Sequence, residues 1–228
     1  MSDQPLQKRL EYIWKPADFK TFFTYIHDHK PHTIKKGTLL FSEGDPLNRT
    51  YIIKEGFLKL YRSSEEGRDA TSYLLGPNYM VGIRALTTKE ECARHNAEAL
   101  TDLTVISISH QEYFAILAKH PEFIVDLLQV FIDRLNYTER KLEGFMLTDA
   151  TARVAHFLAD CATRFCKQEK GQITLPLKLT HQLIADFVGS FRETVTIALN
   201  KLENEKIITN KKGIITILNF KKLNSYSS

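Results

Sequence analysis

Two adjacent side chains in the C-terminal third of the chain have the chemistry needed to recognise DNA bases. Arg192 and Glu193 stand side by side within the segment Leu179–Leu202. An arginine donates two parallel hydrogen bonds to O6 and N7 of guanine, and a glutamate accepts one from the N4 amino group of cytosine. Both contacts require a helix that carries the side chains into the major groove. The pair therefore indicates sequence-specific binding to double-stranded DNA.

The surrounding segment has the pattern of two short helices that could position this pair. Gly189 lies between two apolar stripes of helical spacing, and glycine is the residue that best tolerates the left-handed backbone of a tight turn. The pattern predicts a helix-turn-helix whose second helix recognises DNA. The first stripe is Leu183, Ile184 and Phe187, and the second is Val195, Ala198, Leu199 and Leu202.

A second interpretation of Glu193 is structural. Ser190 precedes it by three residues, and this spacing is typical of a capping box, in which a glutamate satisfies the start of a helix. The residues alone leave both interpretations open.

The N-terminal half of the chain has a different pattern. Short alternating runs are separated by turn residues, and six of the ten glycines fall among them. Many short strands of this kind predict an all-β barrel or roll. The runs are Thr38–Phe41, Thr50–Ile53, Phe57–Tyr61, Thr71–Leu75 and Leu103–Ile108.

A long helix is predicted to start at Pro121 and to link the two halves. Its apolar positions recur in steps of four and three, which is the spacing of a coiled-coil seam. We name these residues the helix seam, and they predict pairing with a second copy. A helix packed within its own chain is the alternative. The seam consists of Ile124, Leu128, Phe131, Leu135, Leu142 and Phe145, with Thr138 at the polar step.

The C-terminal part adds a wing to the predicted helix-turn-helix. After a helix from Asp149 to about Cys166, the pattern predicts a short strand at Ile173–Leu175. Two further strands, Ile207–Thr209 and Ile214–Leu218, enclose a basic turn.

This order of elements resembles the Crp/Fnr family of bacterial transcription regulators. The resemblance covers about residues 18–220 and is most specific in Leu179–Leu202. It implies an α+β fold: a cyclic-nucleotide-binding-like β-roll, a long dimerisation helix and a winged helix-turn-helix. The expected domains are the effector-binding roll at 1–120, the dimerisation helix at 121–147 and the DNA-binding domain at 148–228.

The resemblance also implies partners and roles. We expect a homodimer bound to a palindromic operator, with RNA polymerase as a further candidate partner. The base-contacting residues would be Arg192, Glu193 and Thr196. Ile197 stands where the family often has arginine. The DNA-backbone contacts would come from Thr180, which also suits a helix N-cap, and from His181, Gln182, Lys211 and Lys212.

The effector is expected to be something other than cAMP. Cyclic-nucleotide members of the family have a glutamate directly after a roll glycine and an arginine about ten residues on. Here Ile83 follows Gly82, and Ala93 stands at the arginine spacing. The residues expected at the effector pocket, for an unidentified small molecule, are Gly82, Ile83, Arg84, Arg94 and Thr138.

Other cofactors are disfavoured. A cubane iron–sulfur cluster needs four thiolates, and the chain has three cysteines, Cys92, Cys161 and Cys166. No metal site is predicted. The alternative function is a ligand or thiol-redox sensor that acts mainly through a protein partner.

Composition and charge agree with a DNA-binding protein. Residues 151–228 carry 12 Lys or Arg and six Asp or Glu, a net charge of +6, whereas the remainder carries −2. No apolar run approaches the roughly 20 residues of a membrane helix, so we expect a cytoplasmic protein without a membrane partner. No nucleophile elbow, P-loop or metalloprotease motif is present, so an enzyme is not expected.

Overall fold

The computed structural model describes residues 25–26, 28–83, 92–166 and 171–226. The chain divides into two compact units, with the boundary between Val130 and Phe131. This boundary lies inside the longest helix, which runs from Phe123 to Leu147. None of the helices in the described ranges is both long and apolar enough to cross a membrane.

The N-terminal unit is a β-roll of two four-stranded antiparallel sheets. One has the strand order β1-β8-β3-β6 and the other β2-β7-β4-β5. The strands are β1 His32–Ile34, β2 Leu39–Phe41, β3 Arg49–Glu55, β4 Leu58–Ser63, β5 Asp69–Leu75, β6 Met80–Val81, β7 Asn96–Ala99 and β8 Leu103–Ser109.

The roll core follows from the alternation of apolar side chains along these strands. Ile52 and Ile106 are paired across β3 and β8, and both are buried. Gly56 turns the chain between β3 and β4 with φ +87°, and a Cβ there would collide with the backbone oxygen of Asp102. Only glycine fits this turn without a shift of the neighbouring backbone.

Two helices follow the roll. Helix α1, His110–Lys119, is capped by Ser109, whose hydroxyl accepts a hydrogen bond from the Glu112 backbone N–H at 3.2 Å. Helix α2 is the long helix, Phe123–Leu147. The sequence predicts that this helix starts at Pro121; in the structure it starts two residues later, at Phe123.

Among its described residues, the C-terminal unit contains α2 from Phe131 onward, four further helices and a small antiparallel sheet of order β10-β11-β9. Its elements are α3 Ala150–Phe165, β9 Ile173–Thr174, α4 His181–Val188, α5 Arg192–Asn204, β10 Ile208–Lys211, β11 Ile214–Ile217 and α6 Phe220–Ser225. Helix α6 is absent from the sequence-based expectation. The predicted α+β fold class, a roll followed by helices and a helix-turn-helix, is confirmed.

Helix α3 supports the helix-turn-helix. Asp149 caps it by accepting a hydrogen bond from the Ala152 backbone N–H at 2.8 Å. One face of α3, which includes Val154, Phe157 and Leu158, is buried, and α3 packs against both α4 and α5. This three-helix core fixes the two helices of the motif relative to each other.

Candidate nucleic-acid interface

The first helix of the motif, α4, is defined at both ends by local chemistry. The Thr180 hydroxyl accepts a hydrogen bond from the Leu183 backbone N–H at 3.0 Å, so the predicted N-cap is confirmed. Gly189 ends the helix in the left-handed conformation, with φ 60° and ψ 52°. The structure thus places the turn at the glycine that the sequence indicates.

The turn is also packed against the end of the long helix. A Cβ at Gly189 would lie 2.6 Å from Cε1 of Phe145. Arg153 donates hydrogen bonds to the backbone oxygens of Val188 at 3.1 Å and of Thr148 at 2.8 Å. The Arg153 guanidinium also lies 5.5 Å from the Phe145 ring centroid. Arg153 therefore connects the turn to the end of α2, a role that sequence reasoning missed because its partners are backbone atoms.

A second contact joins the long helix to α4. The Phe187 ring on α4 lies 4.4 Å from Phe157 of α3 and 6.5 Å from Tyr137 of α2, measured between ring centroids. Lys141 of α2 lies over the same Phe187 ring at 4.1 Å, and burial lowers the pKa of Lys141 to about 8. Helix α2 is thereby packed directly on the DNA-binding motif.

The second helix, α5, separates its buried and exposed faces clearly. Val195, Ala198, Leu199 and Leu202 are buried. Arg192 and Glu193 are exposed in its first turn, and Ile197 is 69% exposed. Arg192 and Glu193, the predicted base-contacting pair, therefore lie on the solvent-exposed side of α5.

The capping-box interpretation of Glu193 is wrong. Phe191 is the N-cap of α5, and its side chain makes no cap hydrogen bond. Thr194 rather than Glu193 then occupies the third helical position, which a capping-box glutamate requires.

His181, Thr196 and Asn210 form a hydrogen-bonded chain across three elements. His181 Nδ1 lies 2.8 Å from Thr196 Oγ1, and His181 Nε2 lies 3.4 Å from Asn210 Nδ2. The chain links the start of α4 with α5 and with the wing strand β10. Both ring nitrogens of His181 therefore have partners within the protein.

The wing is a hairpin with a two-residue turn. Lys211 and Ile214 are paired, and the intervening Lys212 and Gly213 have φ values of 55° and 88°. Two successive positive φ values are typical of a type I′ turn, which matches the twist of the flanking strands. Lys211 and Lys212 are both exposed at its tip.

Gln182, the remaining residue predicted to contact the DNA backbone, is exposed on α4. Its Nε2 donates to Asp186 Oδ1 at 2.7 Å, one helical turn further on. This bond holds one of its two amide protons, and the other is available.

The helix seam is largely exposed. Ile124, Leu128, Leu135, Leu142 and Phe145 are all more than 40% exposed, and Phe131 is half-buried. The neighbouring Val130 is buried within the chain.

The residues predicted for the effector pocket are distributed between the two units. In the roll, Gly82 has φ +86°, Ile83 is completely buried, and Arg94 is exposed. Thr138 lies on α2 in the other unit and donates from its hydroxyl to the backbone oxygen of Arg134 at 2.9 Å. Arg84 lies outside the described residues.

The cysteines differ in environment. Burial raises the pKa of the Cys161 thiol and also that of the less deeply buried Cys166, whereas Cys92 is exposed. A raised pKa keeps a thiol protonated and weakly nucleophilic at neutral pH. Within the described ranges, no three His, Cys, Asp or Glu side chains gather as a metal site would require.

Comparison with known proteins agrees with this geometry. Residues 31–120 match the family model of the cyclic nucleotide-binding domain, and residues 152–226 match that of the Crp-like helix-turn-helix domain. The chain is 33% identical over 186 residues to the global nitrogen regulator of Synechococcus elongatus, covering 81% of this chain and 84% of that protein. The chain belongs to the Crp/Fnr family of transcription regulators.

Two further relatives support this assignment. A CRP-like cAMP-activated global transcriptional regulator of Mycobacterium tuberculosis is 34% identical over 170 residues, which is 75% of each chain. A CRP/FNR-family transcriptional regulator from Thermus thermophilus has a solved structure with TM-score 0.71 and 28% identity. The match covers 87% of this chain and 98% of that one. These relatives are transcription regulators rather than enzymes.

Proposed function

We propose that this protein is a homodimeric regulator that binds a palindromic operator through α5. The observation that carries the proposal is the division of α5 into a buried apolar face and an exposed face with Arg192 and Glu193 in its first turn. Arg192 would donate to guanine, and Glu193 would accept from cytosine. Thr196, one turn beyond Arg192, would complete the base contacts.

Contacts to the DNA backbone would orient the helix in the groove. Thr180 uses its oxygen lone pair for the helix cap, so its hydroxyl proton is free to donate to a phosphate. Gln182 keeps one amide proton for the same purpose. Lys211 and Lys212 at the wing tip add positive charge, which contributes sequence-independent affinity.

The second copy would pair along the helix seam. Five of the six seam residues are more than 40% exposed on one helix, and leaving this apolar row in water is unfavourable. Pairing two such helices buries the row and places two recognition helices about one turn of DNA apart.

For the roll, we propose an effector that is not cAMP. The side chain of Ile83 has no hydrogen-bond acceptor for a ribose hydroxyl, and Ile83 is completely buried. Ala93 cannot pair with a phosphate. We expect no change in the melting temperature of the protein with saturating cAMP, and a shift of several degrees would contradict this part of the proposal.

The proposal is tested by selecting binding sites from a random duplex library with reduced, ligand-free protein. We expect a dyad-symmetric motif bound by two chains. An asymmetric site bound by one chain would contradict it. Tight selection by the free protein would mean that no activating ligand is needed. Weak binding with only the steep salt dependence of phosphate contacts would mean that an activating ligand is required.

The environments of Cys161 and Cys166 do not favour a thiol-redox switch at these two residues. Their raised pKa values disfavour the thiolate that reacts in a switch.

A further inference from the structure

The hydrogen bonds around Thr196 determine what its hydroxyl group can still offer to DNA. A threonine hydroxyl has one proton to donate and two lone pairs that accept. Thr196 Oγ1 lies 2.9 Å from the backbone oxygen of Arg192 and 2.8 Å from His181 Nδ1. A carbonyl oxygen can only accept, so the hydroxyl proton is directed to Arg192.

This assignment fixes the tautomer of His181. Because the Thr196 proton is committed, His181 Nδ1 must carry a proton and donate to Thr196 Oγ1. In a neutral imidazole the other nitrogen, Nε2, is then an acceptor. Nε2 faces Asn210 Nδ2 at 3.4 Å, and this amide nitrogen is a donor.

The orientation of the Asn210 amide is fixed independently. Asn210 Oδ1 accepts a hydrogen bond from the Gly213 backbone N–H at 2.9 Å, so the Nδ2 end must point the other way, to His181. The chain of donors and acceptors is therefore consistent from the wing to the recognition helix.

Thr196 then has one lone pair left that can accept a hydrogen bond from DNA. Its proton and its other lone pair are held within the protein, whereas Thr196 itself is half-exposed, one helical turn beyond the exposed Arg192. In the major groove, the hydrogen-bond donors are the amino groups of adenine and cytosine, and the oxygens of guanine and thymine are acceptors.

We propose that His181 holds the Thr196 hydroxyl as a hydrogen-bond acceptor, so that this side chain recognises an amino group of adenine or cytosine at a base edge. A threonine without this neighbour can contact either kind of base edge. His181 is thus a positioning residue that acts through Thr196, in place of the phosphate contact expected from the sequence. The inference rests on the proposed function, because its target is a DNA base.

The hydrogen-bond assignment is tested in the free protein. Nitrogen-15 NMR of histidine-labelled protein, at a pH where histidine is neutral, should show His181 protonated at Nδ1, with the signal assigned by its loss in His181→Asn. Asn210→Asp places an acceptor opposite Nε2, so both ring nitrogens should then be protonated. A wild-type His181 protonated at Nε2 alone would overturn the inference.

The base preference is tested with modified operators. At the selected position whose preference is lost in Thr196→Val, we replace adenine by unsubstituted purine, or cytosine by pyrimidinone, which removes only the amino group. The wild type should bind about fivefold more weakly, the value of one ordinary hydrogen bond, and Thr196→Val should show no further loss. Thr196→Ser, which keeps the hydroxyl, should behave as the wild type.

The outcomes separate this inference from the proposed function. Replacing guanine by 2-aminopurine removes the guanine O6 oxygen. If this replacement weakened binding by the wild type but not by Thr196→Val, Thr196 would contact a guanine oxygen, and the inference would be overturned although the operator is still bound. Selection of an asymmetric site bound by one chain would instead contradict the proposed function, and the tautomer of His181 would still decide the hydrogen-bond assignment.

Discussion

The DNA-binding unit and the β-roll differ in how their functional side chains are assembled. In the DNA-binding unit, the residues that face DNA in our proposal come from short neighbouring segments, α4, α5 and the wing hairpin. In the roll, two of the residues that the family resemblance implies for the effector pocket, Gly82 and Ile83, present no polar side chain. The proposed DNA-contacting surface is thus encoded locally, whereas the residues implied for the effector pocket are spread along the chain from Gly82 to Thr138.

The largest expected effect is on self-association, which we assign to the helix seam rather than to the roll. Leu135 of the helix seam is 58% exposed. Leu135→Arg would place two like charges in the proposed pairing surface, and each buried charge costs several kcal/mol. We expect a monomer by sedimentation equilibrium and loss of operator binding.

The matched control for this variant lies in the roll unit. Phe114 of α1 is 49% exposed, similar to Leu135, but it is not part of the seam. Phe114→Arg should leave the oligomeric state unchanged. If both variants dissociate the protein equally, the seam is not the pairing surface.

Glycine-to-alanine variants compare backbone constraints in the two units. Gly67 of the roll has φ +77°, and a Cβ added there would have no heavy atom within 4 Å. Gly67→Ala should therefore lower the free energy of unfolding only by the roughly 1–2 kcal/mol that alanine costs in the left-handed conformation. Gly189→Ala has the same conformational cost and also displaces the Phe145 ring. The Cβ of Gly56→Ala would meet the backbone oxygen of Asp102 rather than a movable side chain. We therefore expect this variant to lose the most unfolding free energy.

The measurement for this series is the free energy of unfolding from urea titration followed by circular dichroism. The expected order of loss is Gly56→Ala, then Gly189→Ala, then Gly67→Ala. Equal losses at Gly67 and Gly189 would show that Phe145 does not restrict the turn of the helix-turn-helix.

The next effect concerns the connection between α2 and the helix-turn-helix. Arg153→Ala removes two hydrogen bonds from a charged donor to the carbonyls of Val188 and Thr148, and hydrogen bonds to charged groups contribute roughly 1.5–3 kcal/mol each. We expect lower thermal stability of the DNA-binding unit. Arg153→Lys keeps the charge but cannot span both carbonyls, so it should recover only part of the loss.

The smallest effect is on the salt dependence of DNA binding. Lys212 has a left-handed backbone, which glycine adopts without strain, so Lys212→Gly removes a charge without disturbing the wing. The slope of log affinity against log salt should fall by roughly one per contact removed. Lys35→Gln, on the roll, should leave the slope unchanged. If the slope fell equally in both variants, the wing would not contribute a phosphate contact of its own.

The same contrast explains what could be predicted from the sequence. The helix-turn-helix was predictable because its determinants are local: the Thr180 cap, the Gly189 turn and the apolar stripes all lie within one segment. Strand β7, Asn96–Ala99, was not predicted, since Asn, Ala and Glu have low strand propensity. It forms because β2 and β4 pair with it on both sides and because Ala97 and Ala99 are completely buried.

The candidate site shows the same limit at the level of side chains. Arg192, Glu193 and Lys211 could be named from residue type and position, and the structure places all three at the surface. The partners of His181 could not be named, because Thr196 and Asn210 are 15 and 29 residues away and reach it only through the packing of α4, α5 and β10.

The most direct test of the central claim measures the affinity of Arg192→Ala for the selected operator and for a scrambled duplex of equal length. Loss of a bidentate guanine contact costs roughly 1–3 kcal/mol per half-site, so we expect operator affinity to fall at least about thirtyfold. Affinity for the scrambled duplex should change little. Arg68→Ala, an exposed arginine of the roll, is the matched control and should bind both duplexes as the wild type. If Arg192→Ala kept the wild-type preference for the operator, α5 would not be the recognition helix and the account would be wrong.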